Sequence, residues 1–221
     1  MKIAINGKSG RMGQMVSDCI AERNNGMVIC SLMDQPAVII DFSSPLSTLS
    51  LLPFAIEHRI PLVIGTTGFT ASQEMQITHA AEKIPIVKSP NMSIGANLCV
   101  KSVETIATHL VRCGIQFEVG IMEIHHDQKK DAPSGTALLL GEMVESSRYG
   151  GKPQYASLRI GQITGEHAVM FSLNGEQLVV RHHADSRKNF ALGALMAAEW
   201  ILKEKTPCLY GMQEVLGLDK A

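Results

Sequence analysis

Residues 2–22, KIAINGKSGRMGQMVSDCIAE, decide the fold of this 221-residue chain. Residues 2–6 are a short apolar run, the pattern of a buried first strand. The run enters Gly7-Lys8-Ser9-Gly10-Arg11-Met12-Gly13 and then an amphipathic stretch over 14–22, with Met15, Val16, Cys19 and Ile20 at helical spacing. Strand, glycine turn and helix in this order make a pyrophosphate site. Glycines let backbone amides approach phosphate, and the start of the helix favours negative charge. A plain glycine-rich turn between a strand and a helix is the other reading of the same residues.

Working outward, a second strand is expected over 27–33, ending at Asp34, about 21 residues after Gly13. An acid at that distance is where a dinucleotide ribose is usually held; Asp34 also reads as a turn residue ahead of Pro36. Only Gln35, Pro36 and Ala37 separate it from a third strand over 38–42, too few for a crossover helix. Either one of these strands stands outside the regular order, or the sheet is cut down locally. Ser43-Ser44-Pro45 then opens a helical stretch over 46–58. A strand over 61–64 ends in Gly65-Thr66-Thr67-Gly68, a helix follows over 72–83, and a strand over 85–88 ends in Ser89-Pro90-Asn91-Met92. In a parallel α/β sheet such strand ends face the ligand.

The texture changes near Gly95. A helix over 96–113 precedes β-type runs over 116–124, 156–162, 167–173 and 177–183, with Asn174-Gly175 as a hairpin signal. This half reads as a mixed or antiparallel sheet, and a helix over 190–203 closes the chain. The expected fold is α/β, a Rossmann-like nucleotide domain of residues 1–95 and 187–221 with an inserted α+β domain of residues 96–186.

The chemistry concentrates in residues 123–141, EIHHDQKKDAPSGTALLLG. His125 and His126 follow an apolar strand and should face opposite ways, which makes them poor joint chelators. No compact ligand spacing occurs, so no metal site is expected. A histidine titrates near neutrality and can donate a proton, and Lys129 offers a fixed cation four residues on. Pro133 suits the start of a helix, with Ser134 and Thr136 as caps or as substrate contacts. The window therefore asks for a small anion to be protonated, and it cannot itself supply electrons.

Composition excludes several classes. A 45% hydrophobic and 19% charged chain is globular, and its formal net charge of −1 gives no bulk electrostatic case for nucleic acid or anionic membrane. Five scattered cysteines without a C-x-x-C pair read as free thiols in a reducing cytosol, and the strand-like start leaves no room for a signal peptide. No apolar run has the length of a membrane span.

In order along the chain, GKSGRMG, VIIDFSSP, VIGTTGF, SPNMSIG, EIHHDQKKDAPSGTA and GEHAVMF resemble the motifs of the 4-hydroxy-tetrahydrodipicolinate reductase family. The likeness spans nearly the whole chain, and the E-x-H-H-x-x-K-x-D-A-P-S-G-T motif is highly specific. It implies a cytoplasmic, two-domain, homotetrameric enzyme of the diaminopimelate route to lysine. Such an enzyme reduces a small cyclic dicarboxylate with a nicotinamide cofactor and closes about a hinge. By this resemblance His125 is the general acid and Lys129 its partner, with His126, Ser134, Gly135 and Thr136 holding the substrate. Gly7, Lys8, Ser9, Gly10, Arg11, Met12, Asp34, Gly65, Thr66, Thr67, Ser89, Pro90, Asn91 and Met92 resemble the cofactor site, and Arg187 a further cofactor or interdomain contact. The chain departs from the family in its short 34–38 link and in Gln35, where an arginine is common. Asp34 beside Gln35 favours NADH over NADPH, while Arg11 could still reach a 2′-phosphate. A reductase of another cyclic imine and a nucleotide-sensing binding protein are the alternatives. A pure sensor has no need of the histidine–lysine pair.

Overall fold

The structure, a computed structural model, describes residues 1–23, 25–204 and 206–218. The chain divides into two compact units, Met1–Ile94 with Arg187–Ala221, and Gly95–Ser186. The first unit opens with β1 (Lys2–Asn6), α1 (Arg11–Glu22) and β2 (Val28–Ile29), then β3 (Val38–Asp41), α2 (Pro45–Glu57), β4 (Leu62–Ile64), α3 (Ala71–Ala81) and β5 (Ile86–Lys88). The second holds most of α4 (Ile94–Arg112), then β6 (Glu118–His125), α5 (Gly135–Ser146), β7 (Gln154–Arg159), β8 (Gly165–Leu173) and β9 (Glu176–Ala184). The chain returns through α6 (Lys188–Ile201), β10 (Leu209–Tyr210) and α7 (Met212–Val215).

The first unit is a parallel six-stranded sheet in the order β10-β5-β4-β3-β1-β2. Two apolar layers cover it, as a sheet buried on both faces requires. One layer joins Val16 and Ile20 of α1 to Ile3, Ile40 and the alanines of α6. The other joins Ile39 and Ile64 to Leu51 of α2 and Ile77 of α3. Helix starts are fixed locally. Ser44 Oγ accepts from Ser47 N with Pro45 at the first position, and Thr70 and Gln73 form a reciprocal capping box. The close approach of α6 depends on Gly193, where a Cβ would stand 1.7 Å from the Met92 carbonyl oxygen.

The second strand is shorter than its apolar run suggests. Pairing runs Lys2↔Val28 and Ile3↔Ile29, so a continued strand would bring residue 32 opposite Asn6. Instead Cys30 N donates to Ile3 O, a 3-10 turn forms over Leu32–Asp34, and Ala37 N donates to Lys2 O as β3 begins. Residues 30–37 have to carry the chain from one side of β1 to the other, and these residues are lost to pairing. Both readings of the short link thus apply: β1 lies between β2 and β3, and the sheet is cut down there.

The second unit is a four-stranded mixed sheet in the order β7-β6-β8-β9, with β6 parallel to β7 and antiparallel to β8. Gly175, at φ +89, closes the β8–β9 hairpin, a conformation open to glycine. Val103 and Ala107 of α4 and Leu140 and Val144 of α5 pack on Ile121, Val169 and Phe171. No helix among the described residues is long and apolar enough to cross a membrane.

Candidate active site

The packed face of the second sheet turns polar at one end. Val119 and Ile121 are buried in the core, and the next two residues on the same face of β6 are Glu123 and His125, as period-two alternation requires. In register, Glu123 stands between Ser157 of β7 and His167 of β8, and His167 stands beside His182 of β9. One row on, His125 is opposite Arg159.

Glu123, 1% exposed, is the centre of this cluster. Its Oε2 lies 2.5 Å from His125 Nδ1, and Arg159 donates to both of its oxygens at 2.8 Å. Ser134 N adds a donor to Oε1 at 3.2 Å. Burial alone would raise the carboxyl pKa. Hydrogen bonds from Arg159, Ser157 and His125 outweigh it and bring Glu123 down to about 2. A carboxylate so held keeps the His125 ring in one orientation with Nε2 pointing away from it. A Cβ on Gly165 would meet that Nε2 at 3.1 Å, so the glycine leaves the proton-carrying atom room.

Burial lowers the His125 pKa below its ordinary value, Glu123 works against this, and Lys129 and Arg159 add to the lowering. His167 is brought down to about 4, by burial first and by His125 second. Its Nε2 lies 2.9 Å from Ser134 Oγ, which also accepts from Ala137 N. The serine proton therefore goes to a neutral His167, and one hydroxyl joins the ring to the cap of α5.

These shifts set the acid side of the stability curve. A histidine whose pKa is lowered in the fold takes up its proton more readily when unfolded. His167 therefore costs stability as pH falls from about 6.5 to about 4. Glu123 continues the loss from about 4.5 to about 2, a shift worth on the order of 3 kcal/mol. Urea denaturation across pH 7 to 2.5 is expected to show the midpoint falling through both windows. Glu123→Gln should flatten the lower one, and an equally steep lower limb in that variant would refute the account.

Lys129 stands on the loop after β6, its Nζ donating to both Asp131 oxygens at 2.8 Å. β6 ends at His125, so His126 lies past the last paired residue, in a turn where Lys129 N donates to His126 O. The two histidines are parted by the end of the strand as much as by its alternation. Gly135 and Thr136 form the first turn of α5, which Ser134 caps by accepting from Ala137 N at its Oγ and from Leu138 N at its carbonyl. Among the described residues, no group of three or more His, Cys, Asp or Glu is placed to hold a metal ion.

In the first unit the glycine loop is a tight cradle. Gly7 takes φ +80, Gly10 N donates to Gly7 O at 2.9 Å, and α1 starts at Arg11. A Cβ on Gly13 would stand 2.2 Å from Gly7 O, and one on Gly7 2.3 Å from Phe42 O, so both must be bare. Lys8, Ser9 and Arg11 are exposed and Met12 is partly buried. These residues fit the pyrophosphate of a dinucleotide: a helix N-terminus reached only where side chains are missing.

The neighbouring strand ends are tied to this loop. Asn6 Nδ2 donates to Asp41 Oδ1 and Ser43 Oγ at 3.0 Å, and Asp41, fully buried, also accepts from Thr48. Ser43 N donates to Thr66 Oγ1 at 2.9 Å, while a Cβ on Gly65 would overlap the Phe42 ring. Thr67 is exposed beyond them. Ser89 Oγ donates to Asn91 O at 2.8 Å, and Pro90 is exposed. Met92 differs from its expected place, since its side chain is buried in the core under α6. Arg187 caps α6 at the boundary of the unit.

Asp34 also differs. It lies in the 3-10 turn beyond β2, with its carbonyl accepting from Lys2 Nζ at 3.1 Å. Its Oδ2 accepts from both Ser31 N and Ser31 Oγ at 2.8 Å. That hydrogen bonding to Ser31 lowers its pKa. The acid therefore caps its own turn, beside a strand that breaks off short of the glycine loop's level.

Four residues of these clusters escaped sequence reasoning. Glu123 and His125 at i and i+2 on a strand were legible as one face. Arg159 carries no local signal, since only sheet register brings it to Glu123 from 36 positions away. His167 and Asp41 stand inside the quoted motifs without a pattern that separates them from structural residues.

The pattern of the family described as dihydrodipicolinate reductase, C-terminus, matches residues 95–216, and that of its N-terminus matches residues 27–92. A 4-hydroxy-tetrahydrodipicolinate reductase of Lawsonia intracellularis is 35% identical over 261 residues, covering 98% of this chain and 99% of the relative. One from Hahella chejuensis is 36% identical over 268 residues with the same coverage. Both alignments exceed the 221 residues of this chain, so these relatives carry segments it lacks. The solved dipicolinate-bound dihydrodipicolinate reductase of Paenisporosarcina sp. TG-14 shares the fold, with a TM-score of 0.81 at 24% identity, covering 97% of this chain and 98% of that one.

Proposed function

We propose, from the premise that this chain belongs to the dihydrodipicolinate reductase family, how its own residues divide the work of reducing 4-hydroxy-tetrahydrodipicolinate. The observation that carries the proposal is the Glu123–His125 pair, with a 2.5 Å contact at Nδ1 and Nε2 facing the opening left by Gly165. His125 gives its Nε2 proton to the electron-rich ring that the reduction creates. Lys129 and the first turn of α5, at Ser134, Gly135 and Thr136, hold the carboxylates, with His126 as a further contact. Exchange of Asp131 for a substrate carboxylate frees the Lys129 ammonium for this role.

A reduced nicotinamide, when bound, supplies the hydride. The first unit holds it by the loop of Gly7 to Met12, by the strand ends at Gly65 to Thr67 and Ser89 to Asn91, and by Arg187. Asp34 is engaged by Ser31 in the turn beyond β2, and Arg11 stands exposed in the glycine loop, where it can meet a 2′-phosphate. The NADH preference that Asp34 suggested loses its basis, and we assign use of both NADH and NADPH. The outer face of the second sheet exposes Met122, Leu158, Met170 and Val179, an apolar surface that supports a homotetramer built through these sheets. A cytoplasmic site of action completes the reading.

The test is oxidation of NADH and of NADPH at 340 nm, with the synthase product supplied by a coupled enzyme. Substrate-dependent turnover with both nucleotides, within about tenfold in kcat/KM, is expected. No turnover with either would refute the reaction, and a 1000-fold preference would refute the shared use.

A further inference from the structure

We infer that Arg159 is the positioning residue of this active site, one guanidinium that holds the proton donor and the lysine loop in a single arrangement. This rests on the roles given above to His125 and Lys129. A guanidinium has five N–H donors in a rigid plane, and here every one is spoken for. Nη1 donates to Glu123 Oε2 at 2.8 Å and to Leu158 O at 2.7 Å. Nη2 donates to Glu123 Oε1 at 2.8 Å and to Asp131 O at 2.5 Å. Nε donates to Lys129 O at 3.3 Å.

The five acceptors fall into two groups with different tasks. The Glu123 carboxylate is gripped side by side, which leaves its Oε2 to fix Nδ1 of His125. The carbonyls of Lys129 and Asp131 belong to the loop that carries the cation, and Asp131 is also the ion-pair partner of Lys129 Nζ. The loop has no strand partner of its own at residues 129–131. Arg159 gives it one, from the last residue of β7 directly opposite His125. Its side chain is 18% exposed, so the carboxylate and its partner sit largely out of water, where such bonds hold geometry well. A lysine could reach Glu123 or the loop as a point charge, but could not span both.

Catalysis tolerates little misplacement, and a displacement near 1 Å can cost about 100-fold. Arg159→Lys is therefore expected to keep the fold and lose about 30- to 100-fold in kcat. Arg159→Ala should lose more and recover part of its activity when guanidinium is added at millimolar concentration. A residue that only stabilised the fold would not be rescued in this way.

A second readout needs no turnover: the pH titration of the His125 ring followed by NMR in the nucleotide-free protein. The charged and titratable groups that face this ring are Glu123, Arg159, Lys129 and His167. Arg159→Ala takes away a nearby positive charge and one partner of Glu123, so the His125 titration should move to higher pH in that variant, whereas Arg159→Lys keeps the charge and should move it less. Wild-type kcat in Arg159→Lys together with an unmoved His125 titration in Arg159→Ala would overturn the inference. Wild-type protein that fails to reduce the substrate would overturn the functional reading instead, with the titration result left standing.

Discussion

Replacing His125 with alanine is expected to lower kcat by about 10²–10⁴-fold while the affinity for NADH, measured by fluorescence titration, stays unchanged. The histidine belongs to the second unit, whereas the glycine loop that should bind nucleotide belongs to the first. Its loss therefore removes the proton donor and leaves the cradle intact. Glu123 would remain ionised, held by Arg159 at both oxygens, so alanine does not leave an unpaired carboxylate behind. The effect should appear in the chemical step more than in stability. Lys129→Ala should differ by raising KM as well as lowering kcat, because a carboxylate contact is lost. Near-normal turnover in the histidine variant would end its assignment.

The pH dependence of the intact protein sharpens this expectation. An acid works only while protonated, and burial keeps His125 below its ordinary pKa. Without substrate, kcat/KM should decline as pH rises through a value under about 6.5. A bound dicarboxylate favours the protonated ring, so the corresponding limb in kcat should lie at higher pH. In His125→Ala the limb in kcat/KM should vanish; its persistence would assign it to another group.

How far the chain could be read without coordinates depended on whether each signal was local. The strand, glycine turn and helix of residues 2–22 formed as their spacing predicted, because each part is decided within its own neighbourhood. Asn174-Gly175 closed its hairpin for the same reason. The second strand failed because its extent is set by topology. The apolar run over 27–33 satisfies a strand, yet residues 30–37 are needed to cross β1, and only Val28–Ile29 pair. Asp34 was displaced from its expected place by that same crossing. β10 and α7 are too short to leave a periodic signal. In the acid cluster, Glu123 and His125 share a face by simple alternation. Arg159 reaches them through a parallel pairing that no short window records.

Gly13→Ala is expected to raise the Kd for NADH and NADPH at least about 100-fold and to cost about 1–3 kcal/mol of stability. The added methyl would stand 2.2 Å from Gly7 O and 2.6 Å from Lys8 Cα, both backbone atoms of the loop itself. No rotamer change relieves such a contact. Either α1 retreats or the loop opens, and both moves disperse the amides that should converge on the pyrophosphate. Gly10→Ala separates the two effects, since its methyl would meet only Gly7 O, at 3.2 Å. That contact asks for a shift of a few tenths of an ångström, so its stability should stay close to wild type. Its methyl nevertheless occupies the mouth of the cradle, at the cap of α1, where a phosphate must come against bare backbone. Nucleotide affinity should therefore fall in both variants and stability in Gly13→Ala alone. If Gly13→Ala bound both nucleotides like the wild type, the loop would be a turn and no more, and the hydride source would have to be sought elsewhere in the first unit.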